Sequence, residues 1–202
     1  MQSSRIRIRE ETRPPRKKAL DHYVATELGT HVNAYYLNLR GALDNMAWAL
    51  IYELSLKSPV NEDSGKIRQY CDLFGKEFLG DLKKARADLA DLLGDKLDWS
   101  RNLKQFRDPA AHRIPLYIPP GVLREEEVEE FRRIDELAAK DKEERGGRSR
   151  YEVLLEARSL ARFEPILVAS TASGLRVYSL PGQLAQDHIN FLEVAGAVVR
   201  GL

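Results

Sequence analysis

Between residues 32 and 50, apolar side chains recur at three- and four-residue steps: Val32, Tyr35, Leu39, Ala42, Met46, Ala49 and Leu50. Only a helix turns such a series onto one face. A face of that length has to be covered by other elements, so the stripe commits the chain to helices packing on helices. Tyr36, Leu43, Ala47 and Ile51 lie off the main stripe. A helix apolar on several sides sits either in a large core or in a subunit interface, and we expect a two-fold homodimer. Gly29 predicts a break, with a short helix before it and a long one after.

The remaining segments supply the cover. Apolar positions from Ile67 to Leu93 return at helical spacing, with interruptions expected at Gly75 and Gly80. A further helix runs to Arg107 and points Trp99, Leu103 and Phe106 at the core. A last one begins at Pro181 or Gly182 and carries Leu184, Phe191, Leu192, Val198 and Val199. Pro115, Pro119 and Pro120 forbid a helix after residue 113 and leave an extended edge segment. Residues 124–145 read as a charged helix with i, i+4 pairs Glu129/Arg133, Glu136/Lys140 and Asp141/Arg145. Two β-prone runs, 162–169 and 175–180, flank a Gly-containing loop and predict a hairpin.

The expected fold class is therefore mainly α: an up-and-down helical bundle with an inserted charged helix and a small β-hairpin. The division drawn is a basic arm over 1–15, a bundle over 16–113 and 181–202, and an insertion over 114–180. Residues 1–18 hold seven basic and two acidic side chains, with Arg5, Arg7 and Arg9 alternating with Ile6 and Ile8. They read as an edge strand, as a mobile tail, or as a basic arm reaching nucleic acid.

At 202 residues and a net charge of +1, the chain fits one domain and is no general attractor for nucleic acid. An RNA site would have to be a local patch. The single cysteine, Cys71, excludes an internal disulfide and a cysteine zinc cluster. No apolar run reaches membrane-spanning length and no signal peptide is visible, so the expected location is cytoplasmic. Phosphate-loop, dinucleotide-binding, nucleophile-elbow and zinc-protease motifs are absent. No metal or cofactor is expected.

Chemistry concentrates at Phe106-Arg107-Asp108-Pro109-Ala110-Ala111-His112-Arg113. Arg107 and His112 stand five positions apart, which on an unbroken helix turns them well away from one another. Asp-Pro is a helix-start signal, with Asp as N-cap and Pro at N1. The residue before proline also avoids the α region. The expectation is a helix ending near Arg107 and a new turn from Asp108 that carries His112 beside free backbone N–H groups, a phosphate site. Arg40, Asp44 and Trp48 sit at i, i+4, i+8 upstream. They form either a surface ion pair over an aromatic, or a pocket in which Asp44 orients Arg107 and Arg40 lines the wall.

Arg107, Asp108 and His112 match, position by position, the Arg-(Asn/Asp/His)-x-x-x-His pattern of the HEPN superfamily, and Asn38 to Trp48 resembles the long early helix of its bacterial members. The resemblance covers about Lys18 to Arg113 plus the C-terminal helix. It implies a metal-independent endoribonuclease in a toxin–antitoxin or phage-defence setting. RNA would be the substrate, two Arg107/His112 sets would meet across a homodimer, and an antitoxin or nucleotidyltransferase-like protein would be the partner. The chemistry agrees: an imidazole can move the 2′-OH proton near neutral pH, and a guanidinium fork can hold the phosphate. The alternative is a non-catalytic HEPN-like module that binds RNA or protein, with Arg107 paired to Asp108 or Asp44.

Overall fold

The computed structural model describes residues 18–56, 70–112, 115–171 and 174–202, with only the backbone of 109–112 and of 171. The basic arm, the loop over 58–65 and the side chain of His112 lie outside the described residues. The fold is mainly α with one two-stranded antiparallel hairpin. The elements run α1 His22–Glu53, α2 Lys76–Ala85, α3 Ala87–Asp95, α4 Leu97–His112, a 3-10 turn Glu125–Glu127, α5 Val128–Ala139, α6 Arg150–Leu160, β1 Ile166–Thr171, β2 Gly174–Ser179 and α7 Leu180–Gly201.

Helix α1 is the axis of the bundle. Asp21 caps it, accepting from the N–H of Tyr23 at 2.8 Å. It runs 32 residues without the break expected at Gly29. Nor does packing require glycine there: a Cβ would stand 3.9 Å from the Leu116 carbonyl oxygen, an ordinary van der Waals contact. One turn on, the Asn33 amide donates to that oxygen at 3.1 Å and accepts from the Leu116 N–H at 3.1 Å. This clamps the proline-rich segment along α1. Tyr36, Leu43, Ala47 and Ile51 are all buried within this one chain, so the all-round apolar character of α1 is used up inside the protomer.

Helix α4 lies against α1, with Trp99, Leu103 and Phe106 buried as their spacing predicts. Phe106 stacks on Tyr36 at 4.9 Å between ring centres and meets Tyr178 of the hairpin edge-on at 4.9 Å. The break in the preceding helical run falls at Arg86, between α2 and α3; Gly75 is the N-cap of α2, and Gly80 lies inside it. Helix α7 closes the bundle, with Pro181 in its first turn where a missing N–H costs nothing.

The hairpin pairs Ile166 with Ser179 through Thr171 with Gly174. On the far side of β1, Tyr117 exchanges two backbone hydrogen bonds with Val168, at 3.0 and 2.8 Å. The extended segment thus lies alongside β1, and Leu116, Ile118, Phe163, Leu167 and Ala169 all enter the main core. Among the described residues no strand pairs with the outer edge of β2, where Leu175 and Val177 are exposed.

Helices α5 and α6 build a second, small core of Ile134, Ala138, Val153 and Ala157. This helical pair leaves and rejoins the body at one point. Val122 and Arg162 exchange backbone hydrogen bonds of 2.7 and 3.0 Å, beside an Arg162–Glu127 ion pair at 2.9 Å. The charged helix stops at Ala139 and pairs its charges at i, i+3, as Glu129–Arg132 and Glu130–Arg133. Among the described residues no helix is long and apolar enough to cross a membrane.

Candidate functional site

The break expected at Asp108-Pro109 does not occur. Helix α4 continues from Leu97 to His112. By then the helix is already nucleated and anchored on the core through Trp99, Leu103 and Phe106, so extending it is easier than starting a new turn. Pro109 stands in the last turn, where its missing N–H removes a single ladder bond. At 100° per residue, five positions place the backbones of Arg107 and His112 roughly 140° apart around the helix axis. The new turn with free N–H groups beside Arg107 is therefore absent.

Arg107, Arg40 and Asp44 are nonetheless neighbours. Arg40, on α1, is buried and not the surface residue that its spacing allowed. Its Nη2 donates to Asp72 Oδ1 at 2.7 Å and lies 3.2 Å from Asp44 Oδ1. Lys104, on α4, donates to Asp72 Oδ2 at 2.8 Å, and the N–H of Phe74 reaches Asp72 Oδ1 at 3.2 Å. Asp72 thereby joins α1 to α4. One turn beyond Lys104, Arg107 Nη1 donates to Asp108 Oδ1 at 2.8 Å.

The half-exposed Asp44 and the more enclosed Asp72 are shifted in opposite directions. Burial pushes Asp44 above its ordinary value of 3.8, Asp72 adds to the push, and Arg40, Arg107 and Lys104 pull against it. Burial also pushes Asp72 upward, but the hydrogen bonds from Lys104, Arg40 and the Phe74 N–H together hold its carboxyl below 3.8. Cys71 is raised by burial and by the negative charge of Asp44, which marks it as an inert thiol. Among the described residues, the buried Nη1 of Arg40 finds no hydrogen-bond partner.

Asp72 and Lys104 belong to the site and were not singled out by the sequence. Lys104 stands at i, i+3 before Arg107, a spacing that shares a helix face and could have marked it. Asp72 lies between helices in irregular backbone, and no local pattern announces its pairing with Arg40, 32 positions away. A separate groove runs between the first turns of α1 and the segment after Pro115, lined by Ala25, Gly29, Leu37 and Leu116; neither Arg40, Asp44 nor Arg107 lines it. Among the described residues no three His, Cys, Asp or Glu side chains gather as a metal ion would need.

The chemical capacity is that of an anion contact beside a titratable carboxyl. Arg107 and Lys104 are part-exposed cations at the edge of the cluster; burial raises the Asp44 carboxyl, and both cations pull it back toward the charged form. Comparison with known protein families, with curated proteins and with solved structures found no match to this chain.

Proposed function

We propose that this protein is HEPN-like and acts on RNA, with Arg107 as its phosphate contact and, in full form, metal-independent cleavage through the ribose 2′-OH. The observation that carries the reading is the gathering of Arg40, Lys104 and Arg107 around Asp44 and Asp72, within the stretch that resembles the family. A guanidinium that keeps one N–H on Asp108 still has its remaining donors for a phosphate. The raised Asp44 carboxyl adds a titratable group in the same field.

One observation favours the second reading, a binding module that does not cut. The unbroken α4 sets Arg107 and His112 apart around its axis, so a protomer acting alone has no obvious shared cleft for them. Cleavage then asks for a second copy that brings its own His112 to this Arg107.

The test uses short structured and unstructured RNAs with the intact protein. On the cleaving reading, Arg107→Ala and His112→Ala each abolish cutting while melting stays within about 2 °C of the parent, as for surface substitutions on a chain this size. Cutting survives EDTA, leaves 2′,3′-cyclic phosphate ends, and fails on 2′-deoxyribose at the cut site. RNA binding that is lost with Arg107→Ala, with no cutting by any variant, selects the module. Absence of any RNA binding that depends on Arg107 rejects both.

A further inference from the structure

Helices α5 and α6 form a pair joined to the body at one point, and one side of that pair is uncovered. Their shared core holds four buried side chains. Beside it a groove of about 410 Å³ opens between the helices, lined by Phe131 of α5 and by Tyr151, Leu154, Leu155, Ala157 and Arg158 of α6. Tyr151 and Leu155 are 68 and 44 % exposed, and Phe131 and Leu154 are half-buried. Single exposed apolar residues are ordinary, but these four line one concave surface. Ala157, buried among them, offers only a methyl group.

The charges beside the groove select its occupant. Eight arginines lie between residues 124 and 162. Six are engaged: Arg124 with Glu126, Arg132 with Glu129, Arg133 with Glu130, Arg148 with Glu156, Arg162 with Glu127, and Arg145 with the carbonyls of Ala138 and Lys140. Among the described residues nothing engages the side chain of Arg150 or Arg158, and both are exposed. They stand at i and i+8 on α6, about 12 Å apart along its axis, with Leu154 between them on the same ridge. On the other rim Asp135 follows Phe131 by one turn of α5, exposed and without an ion pair among the described residues.

We infer that this groove receives an amphipathic helix of a partner protein, acidic along one flank, which lies on α5 and α6 as their third helix. The apolar lining fits side chains at i, i+3, i+4 and i+7, the spacing with which a helix enters a groove. The small Ala157 leaves room for a large side chain at the centre of the contact. Two carboxylates set two turns apart on the flank toward α6 match Arg150 and Arg158, and a basic residue on the other flank matches Asp135. Helix α6 has 11 residues. At 1.5 Å each it is about 16 Å long, so three turns of the partner cover it. A nucleic-acid backbone would satisfy the two arginines, but it would leave Phe131, Leu154 and Leu155 uncovered and would meet Asp135. The groove shares no residue with the cluster of Arg40, Asp44 and Arg107, so this inference stands apart from the RNA reading.

Fluorescence anisotropy with the intact chain and a labelled synthetic peptide tests this. The probe has about 18 residues, enough to hold a helix in water. It carries leucines at i, i+3, i+4 and i+7 and two glutamates two turns apart on one flank. Its counterpart has lysines in place of those glutamates. The glutamate probe is expected to bind at least about tenfold more tightly than the lysine probe. Leu155→Glu is expected to remove binding, and Arg158→Glu to shift the preference to the lysine probe. Both positions are exposed, so circular dichroism and melting should match the parent. Binding of neither probe, equal binding of both, or glutamate-probe binding that survives Leu155→Glu overturns the inference. So does a short single-stranded RNA whose binding falls with Arg158→Glu and is untouched by Leu155→Ala, which would give the two arginines to nucleic acid.

Discussion

Asp187 is the carboxylate on which the bundle depends most, and replacing it makes a quantitative test. It is 1 % exposed and accepts from Tyr36 Oη of α1 at 2.9 Å, Trp99 Nε1 of α4 at 3.0 Å and Gln183 Nε2 of its own helix at 3.1 Å. Three helices therefore meet at one acceptor. In Asp187→Ala, Gln183 can turn to water, but Tyr36 and Trp99 cannot. Each buried donor left without a partner costs about 1–3 kcal/mol. Removing the carboxylate also relieves the cost of burying it, which keeps the net loss near about 3–5 kcal/mol, the range for breaking a buried charged interaction. At about 2–4 °C per kcal/mol for a chain of this length, the melting temperature should fall by roughly 6–20 °C. Asp187→Asn keeps one oxygen acceptor and should lose about half as much. The pH dependence has a definite sign. Burial raises the Asp187 carboxyl above 3.8, outweighing the hydrogen bonds from Gln183, Trp99 and Tyr36. A group that binds its proton more tightly when folded contributes stability below its unfolded value and loses it as pH rises through the folded value. The stability advantage of the parent over Asp187→Asn should therefore widen as pH is lowered toward 3.8. Denaturant melts of the three proteins across that range decide it. A loss below about 0.5 kcal/mol for Asp187→Ala, which is what a surface substitution gives, would refute the reasoning.

Asp72 should behave in the opposite sense. Its carboxyl is held below 3.8, so it stabilises the fold above that value and stops doing so as pH falls through its folded value. Asp72→Asn should cost about 1–3 kcal/mol at neutral pH and flatten the acid limb of the stability curve, since a part-buried charged pair is worth more than a surface one. Deleting 124–160 and joining the ends with a short flexible linker should leave a cooperatively melting bundle, because Val122 and Arg162 already lie side by side. Deleting only 124–150 should aggregate or melt broadly, because it strips α5 from Val153 and Ala157 of α6. Gly121→Ala should destabilise by about 1–3 kcal/mol in thermal melts, as overpacking does. A Cβ at Gly121 would stand 2.7 Å from Ala161 Cβ and 3.0 Å from Ala19 Cβ.

What could be read in advance follows the range of the interactions. The α1 stripe, the apolar face of α4, the hairpin and the proline at the start of α7 are local patterns, and periodicity or turn chemistry reports them. The failures have tertiary causes. Gly29 reads as a breaker until α1 is seen to be packed on both sides of it, through Ala25, Leu28 and Val32, and Asp108-Pro109 reads as a start until α4 is seen to be held by the core. At the candidate site, Arg40, Asp44 and Arg107 were visible as charges at suggestive spacing. The carboxylate that joins two of their helices, Asp72, is distant in sequence and was not. Asp187 hid for the same reason: an acid on an amphipathic helix looks solvated until its partners on α1 and α4 are known.

The outer edge of β2 has a consequence for handling the protein. Among the described residues no strand pairs with that edge over Leu175 to Tyr178, and an edge open in this way offers its N–H and C=O groups to an extended chain, with Leu175 and Val177 adding an apolar surface beside them. Arg176 stands between the two, exposed, and puts a charge where an incoming strand would stack its own copy. A charge at such a position opposes edge-to-edge polymerisation. Neutralising it should shorten the time to visible aggregates on storage without moving the thermal midpoint. Colloidal lifetime and folding stability are then separable properties of this chain, governed by different residues.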